Sequence, residues 1–223
     1  MKRNIQFMVV FLFVLILSAC ATIKPLDSAK KDYNNKRYAK VANIKISCKD
    51  SDEGCNQLYL LKGNACYLLA KEGTNPQQNF DCAITQLDKG IQITKQWKFD
   101  KFDLNKAQTY ENLCESLREK QDMNKGEVAK KITERLLKTS EAFKTAVPDN
   151  LAAIFFYNDA KFTLLNELIF NAPDNPKVCA AVNKILSELN QVSDSVAKSR
   201  YAKNFTNLIN SVKGVKPALT NCQ

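Results

Sequence analysis

The chain has 223 residues, a formal net charge of +10, eight cysteines and no histidine. Without histidine there is no Ser-His or Cys-His nucleophile, no His-ligated zinc and no ordinary haem attachment. The six glycines form neither a GxGxxG turn nor a Walker loop, and no CxxC pair offers metal or redox spacing. Carboxylate pairs such as Asp52/Glu53 and Glu111/Glu115 read as surface groups, so the expectation is a non-enzyme with no cofactor and no metal.

Met1 to Ala19 has a basic start (Lys2, Arg3), an apolar run from Phe7 to Leu17 and small residues before Cys20. That pattern predicts a secretory signal, with the apolar run too short for a comfortable transmembrane helix. Leu17-Ser18-Ala19-Cys20 resembles the lipobox at which bacterial lipoproteins are cut and acylated. The resemblance implies a diacylglycerol thioether on Cys20, palmitate-like acylation of its amine and membrane anchoring through the N-terminal lipid. Ala21 in place of Asp implies the outer membrane, facing the periplasm. Cleavage removes Lys2 and Arg3, and the charge falls to +8. Export argues against nucleic acid as a partner and leaves an anionic membrane surface, an acidic partner or plain solubility to explain the basic balance. Residues 20–27 read as a lipidated tether, with Pro25 opposing helix, and residues 28–223 as one helical domain.

Ala29, Tyr33, Tyr38, Val41 and Ile44 have helical-hairpin spacing broken near Asn34-Asn35. Cys48 and Cys55 enclose KDSDEG, a polar loop suited to a disulfide; its Asp50, Asp52 and Glu53 lack the remaining ligands of a calcium loop. From Tyr59 to Gln92, Tyr59, Leu60, Gly63, Cys66, Tyr67 and Leu69, then Ala83, Leu87 and Gly90, recur at three- and four-residue steps, predicting two amphipathic helices. Gly63 inside a helix costs up to roughly 1 kcal/mol against Ala, which points to close approach of the second arm. Lys71 to Asn79 reads as extra turns or a loop, broken at Asn75-Pro76. Trp97, Phe99 and Phe102 alternate with charges and are expected to tuck onto neighbouring helices. Helices are then predicted from Leu104 to Gln121, Glu127 to Val147, Leu151 to Phe170, Pro176 onward, and Val196 to Val212. No alternating strand pattern lasts, so the fold class is all-α.

GNACY (Gly63 to Tyr67) resembles the first-helix signature of the tetratricopeptide family, and Phe80, Ala83, Leu87 and Gly90 fall on the aromatic, Ala, large apolar and small places of its second helix. NLCESL, around Cys114, is similar to the same signature in a later unit. The resemblance implies antiparallel helical hairpins stacked as a short TPR-like superhelix, with a concave wall made by the first arms. On that wall it places Gln57, Leu60, Asn64, Tyr67 and Leu68, then Gln108, Glu111, Glu115 and Arg118. The implied function is a lipid-anchored envelope scaffold or adaptor for a protein partner, for example in transport or envelope assembly. The alternative is a carrier of a small hydrophobic ligand, with Phe155, Phe156, Phe162 and the rings near Trp97 lining a cavity. The sequence names neither the partner nor an oligomeric state. With Cys20 assigned to lipid, seven cysteines remain. The expected disulfides are Cys48 with Cys55 and Cys179 with Cys222; among Cys66, Cys82 and Cys114, either two pair or all three stay thiols.

Overall fold

The computed structural model describes residues 23–97, 104–219 and 222. Every regular element among them is helical. The signal segment and Cys20 lie outside the described residues, as do Phe99 and Phe102. The chain divides into two compact units, one ending at Asn105 and one beginning at Lys106.

In the first unit, α1 (Ile23–Asn34) and α2 (Tyr38–Ala42) lie against α3 (Cys55–Lys71), which pairs most extensively with α4 (Pro76–Ile93). Of the expected tether, residues 20–22 lie outside the described residues and residues 23–27 belong to α1, which already starts at Ile23. Pro25 is tolerated there because the first N–H groups of a helix have no intrahelical acceptor. Ala29 and Val41 meet Leu58, Leu61 and Ala65 of α3, with Leu26, Tyr33, Tyr38, Ile44, Ile46 and Cys48 packed around them. The link from Ile44 to Lys49 is non-helical and alternates half-buried with exposed side chains, as an extended chain does. Lys62 Nζ donates to the Ile44 carbonyl at 2.9 Å, giving this lysine a role inside the fold.

Helices α3 and α4 run antiparallel, as the reciprocal contacts along them show: position 63 meets Leu87, position 90 meets Leu60, and Cys66 is bonded to Cys82. A Cβ at position 63 would sit 2.9 Å from the Leu87 backbone nitrogen, and one at position 90 would sit 2.5 Å from Leu60 Cδ2. The two glycines therefore set the distance between the helices. The extra loop expected from Lys71 to Asn79 is absent. Only residues 72–75 separate the helices, because Gly73, at φ 82°, lets Gly73 N–H reach Ala70 O at 3.0 Å and Thr74 N–H reach Leu69 O at 2.9 Å. This is a Schellman ending, and Pro76 opens α4 at its first position instead of breaking it.

In the second unit, α5 (Lys106–Asp122) and α6 (Gly126–Ala146) pack antiparallel, followed by α7 (Leu151–Asn171) and α8 (Pro176–Gln191). Asn150 and Asn175 cap the last two, each accepting a backbone N–H (Ala153 and Lys177) on its side-chain oxygen. The single final helix expected from Val196 to Val212 is instead a short α9 (Ser193–Val196) and α10 (Ala202–Val215). Ser199 makes the break: its hydroxyl donates to Val196 O at 2.8 Å and accepts from Tyr201 N–H at 3.2 Å, competing with the helical ladder. Phe155 and Phe156 are buried against each other and against Tyr201, and Phe155 also meets Phe205.

Candidate functional site

Several of the residues placed on a concave wall by the tetratricopeptide resemblance are buried within their own units. Leu60 and Asn64 are fully buried, which corrects their placement as exposed wall residues. Leu60 is drawn inward because Gly90 of α4 offers no side chain and the leucine fills that space. Gln57, Tyr67 and Leu68 are half-buried, and the Gln57 side-chain oxygen is buried without a hydrogen-bond partner.

On α5, Glu111 is buried and accepts from both Arg200 and the Tyr201 hydroxyl, so it too is corrected from wall to interior. Burial pushes the Tyr201 phenol far above its usual range, and the neighbouring Glu111 carboxylate pushes it further. Arg118 is held by Asp159 at 3.0 Å and lies over the Phe155 ring at 5.2 Å. Gln108 donates to Asn112 at 2.7 Å, and Glu115 is half-buried. The polar face of α5 is thus largely engaged with α7 and with the turn before α10.

Among the described residues seven cysteines form three pairs, Cys48–Cys55, Cys66–Cys82 and Cys179–Cys222, and leave one over. Cys114 is the free one, its thiol kept protonated first by complete burial and then by nearby Glu111. Three disulfides point to an oxidising compartment outside the cytoplasm. Among the described residues no helix is long and apolar enough to cross a membrane. Two carboxylates of the acidic loop between Cys48 and Cys55 are engaged: Asp52 accepts from Lys49 N–H at 2.8 Å within the loop, and Asp50 pairs with Lys89 of α4.

The sequence reading passed over a groove of about 510 Å³ in the first unit, where α2, α3 and α4 converge. Ala39, Ala42 and Asn43 form one side. Lys62, Cys66 and Leu69, at helical spacing on α3, line it together with Cys82 of α4, so the Cys66–Cys82 disulfide contributes to the lining. Gln78, Asp81, Thr85 and Gln86 form the other side, and Thr74, Asn75 and Asn79 close one end. Asn79 Nδ2 donates to Thr74 O at 2.6 Å, and Asn75, at φ 40°, makes no side-chain cap bond with α4. Five amides and two hydroxyls stand among its fourteen lining residues, and none of these is aromatic. The amide-rich run from Asn75 to Asn79 was the available signal. In sequence it reads as a breaker, because Asn-Pro marks either a turn or a helix start.

Compared with protein-family models, with curated proteins and with solved structures, the chain matches none.

Proposed function

We propose that the chain is a lipid-anchored adaptor of the bacterial envelope, tethered through Cys20 to the outer membrane on its periplasmic side, and that the α2–α3–α4 groove takes an extended peptide segment of a partner protein. The observation that carries the reading is the amide-rich lining of that groove, whose two charged residues, Lys62 and Asp81, are of opposite sign. Asn and Gln both donate and accept, which is what an extended backbone presents along its length. A saccharide reading is weaker because there is no aromatic platform. The lipobox at Leu17 to Cys20 supports the anchor. A hairpin of 17- and 18-residue arms with a short turn and a Gly–Leu seam supports the tetratricopeptide-like reading. The carrier alternative has less behind it, since Phe155 and Phe156 already pack against Tyr201 and, for Phe155, Phe205.

The test uses photo-crosslinking amino acids at Gln78 and Thr85, in the groove, and at exposed Lys138 on α6, in cells producing the full chain. The expected result is one adduct shared by the groove positions and absent at Lys138. With the probe at Gln78, Thr85→Arg should abolish it by filling the groove. No adduct, or the same adduct from Lys138, would sink the peptide-groove reading.

A further inference from the structure

Between Pro25 and Lys49 the chain carries seven basic side chains (Lys30, Lys31, Lys36, Arg37, Lys40, Lys45, Lys49) and two acidic ones, Asp27 and Asp32. From Asp50 to Trp97 the balance reverses, with four basic and six acidic residues. The fold turns this asymmetry in sequence into one in space. The inner side of the layer made by α1, α2 and the extended link is apolar and lies on α3 through Leu26, Ala29, Tyr33, Val41, Ile44 and Ile46. Its outer side exposes Lys31, Lys36, Arg37, Lys40, Lys45 and Lys49. In the extended link the alternation is explicit: Ile44, Ile46 and Cys48 point inward while Lys45, Ser47 and Lys49 face solvent. Asp32 pairs with Arg37 at 3.4 Å, leaving exposed Asp27 as the other carboxylate in this stretch.

We propose that this cationic outer side of the α1–α2 layer rests on anionic phospholipid headgroups. The proposal depends on the lipid-anchor reading of Cys20. Only three peptide steps separate Cys20 from Ile23, where α1 begins. At about 3.5 Å per residue the tether reaches roughly 10 Å, close to a Debye length in physiological salt. An anchored chain thus holds the layer within reach of the headgroup potential, which attracts clustered Lys and Arg and weakens with salt. An acidic protein would meet the same cations, but it would not explain why they are concentrated in the segment that immediately follows the anchor.

The experiment reconstitutes the full-length lipidated protein into vesicles of pure phosphatidylcholine and into vesicles with about 30% phosphatidylglycerol. Flotation first reports anchoring, and amine-reactive footprinting then measures labelling of Lys31, Lys36, Lys40 and Lys45 against Lys131 and Lys138 of α6. On the anionic vesicles the first group should label roughly three-fold more slowly than on the neutral ones, with the difference erased by about 0.5 M salt. If the protein floats with both vesicles but labels identically, the docking proposal fails and the anchor stands. If it floats with neither, the anchor reading fails and takes the proposal with it. Slower labelling produced equally by soluble polyglutamate, without vesicles, would assign the face to an acidic protein and overturn the lipid assignment.

Discussion

The two units are held together in different ways. In the first, two glycines let α3 and α4 approach until side chain meets backbone, and two disulfides close segments of 7 and 16 residues. In the second, helices are joined by aromatic packing and by buried or half-buried carboxylates bound to polar partners: Glu111 with Arg200 and Tyr201, and Glu188 with Lys144 and Asn158. A single disulfide ties the C-terminal end back to the start of α8 across 43 residues. A seam fixed by shape and covalent bonds responds to volume and redox state, whereas one fixed by buried hydrogen bonds to charge also responds to pH. The contrast can be tested unit by unit.

The largest effect is expected from the longest covalent loop. Replacing Cys179 and Cys222 by Ser should cost about 4 kcal/mol by loop-closure entropy, against about 3 kcal/mol for Cys66 and Cys82. Urea unfolding followed by fluorescence and circular dichroism would measure both, and equal costs would show that loop length is not what decides. Next come Gly63→Val and Gly90→Val. Replacing a helix-interior glycine improves intrinsic propensity by less than about 1 kcal/mol. The clash with Leu87 or Leu60 outweighs that gain, since overpacking costs about 1 to 3 kcal/mol and part of the obstruction at position 63 is backbone. A net loss of about 2 kcal/mol is expected at either site, and a neutral result would mean the seam can open.

Much of this first seam was legible in the sequence. Gly63, Leu87 and Gly90 stand at helical spacing, and a glycine inside a helix has few other reasons to be there. The helices of the second unit were legible too, because Asn150 and Asn175-Pro176 each stand directly ahead of a long helical pattern. The direction each polar residue faces was not. Glu111 and Arg118 look like surface groups in a helical pattern. Their engagement depends on Arg200, Tyr201 and Asp159, which lie from 41 to 90 positions away. The break at Ser199 was missed for a related reason: serine is tolerated in a helix, and only the local bonds to Val196 and Tyr201 decide against it. The groove was missed because it belongs to three helices at once, and no one of them carries its pattern.

Glu111→Gln keeps the shape of the side chain and removes its charge. The Arg200 side chain is 63% exposed, so that half of the interaction is screened; the Tyr201 hydroxyl is the more protected partner. A cost of about 1.5 kcal/mol is expected, at the low end for hydrogen bonds to charged groups. Tyr201→Phe should reproduce much of it, and Arg200→Lys much less. If the arginine substitution proved the more damaging, the network would be held from its exposed side.

The smallest effect is the one that reads pH. Burial raises the carboxyl pKa of Glu188, but Lys144 at 3.1 Å and the Asn158 amide at 3.3 Å outweigh it and hold the group below its ordinary range. A depressed folded-state pKa contributes stability that is present above the unfolded value, about 4.3, and is lost as pH falls through the folded one. The stability difference between the wild type and Glu188→Gln should therefore stay level from neutral pH to about 5 and vanish below the folded value. Its size should not exceed about 1 kcal/mol for a pair this exposed. Asp159 carries the opposite sign. Burial lifts its carboxyl above the usual range despite Arg118, so its contribution is present below the unfolded pKa and lost as pH rises through the folded one. The acid limb of the second unit is then a difference of two opposed titrations. Removing both carboxylates, as Glu188→Gln with Asp159→Asn, should flatten it, while the first unit, held by glycines and disulfides, keeps its own profile unchanged.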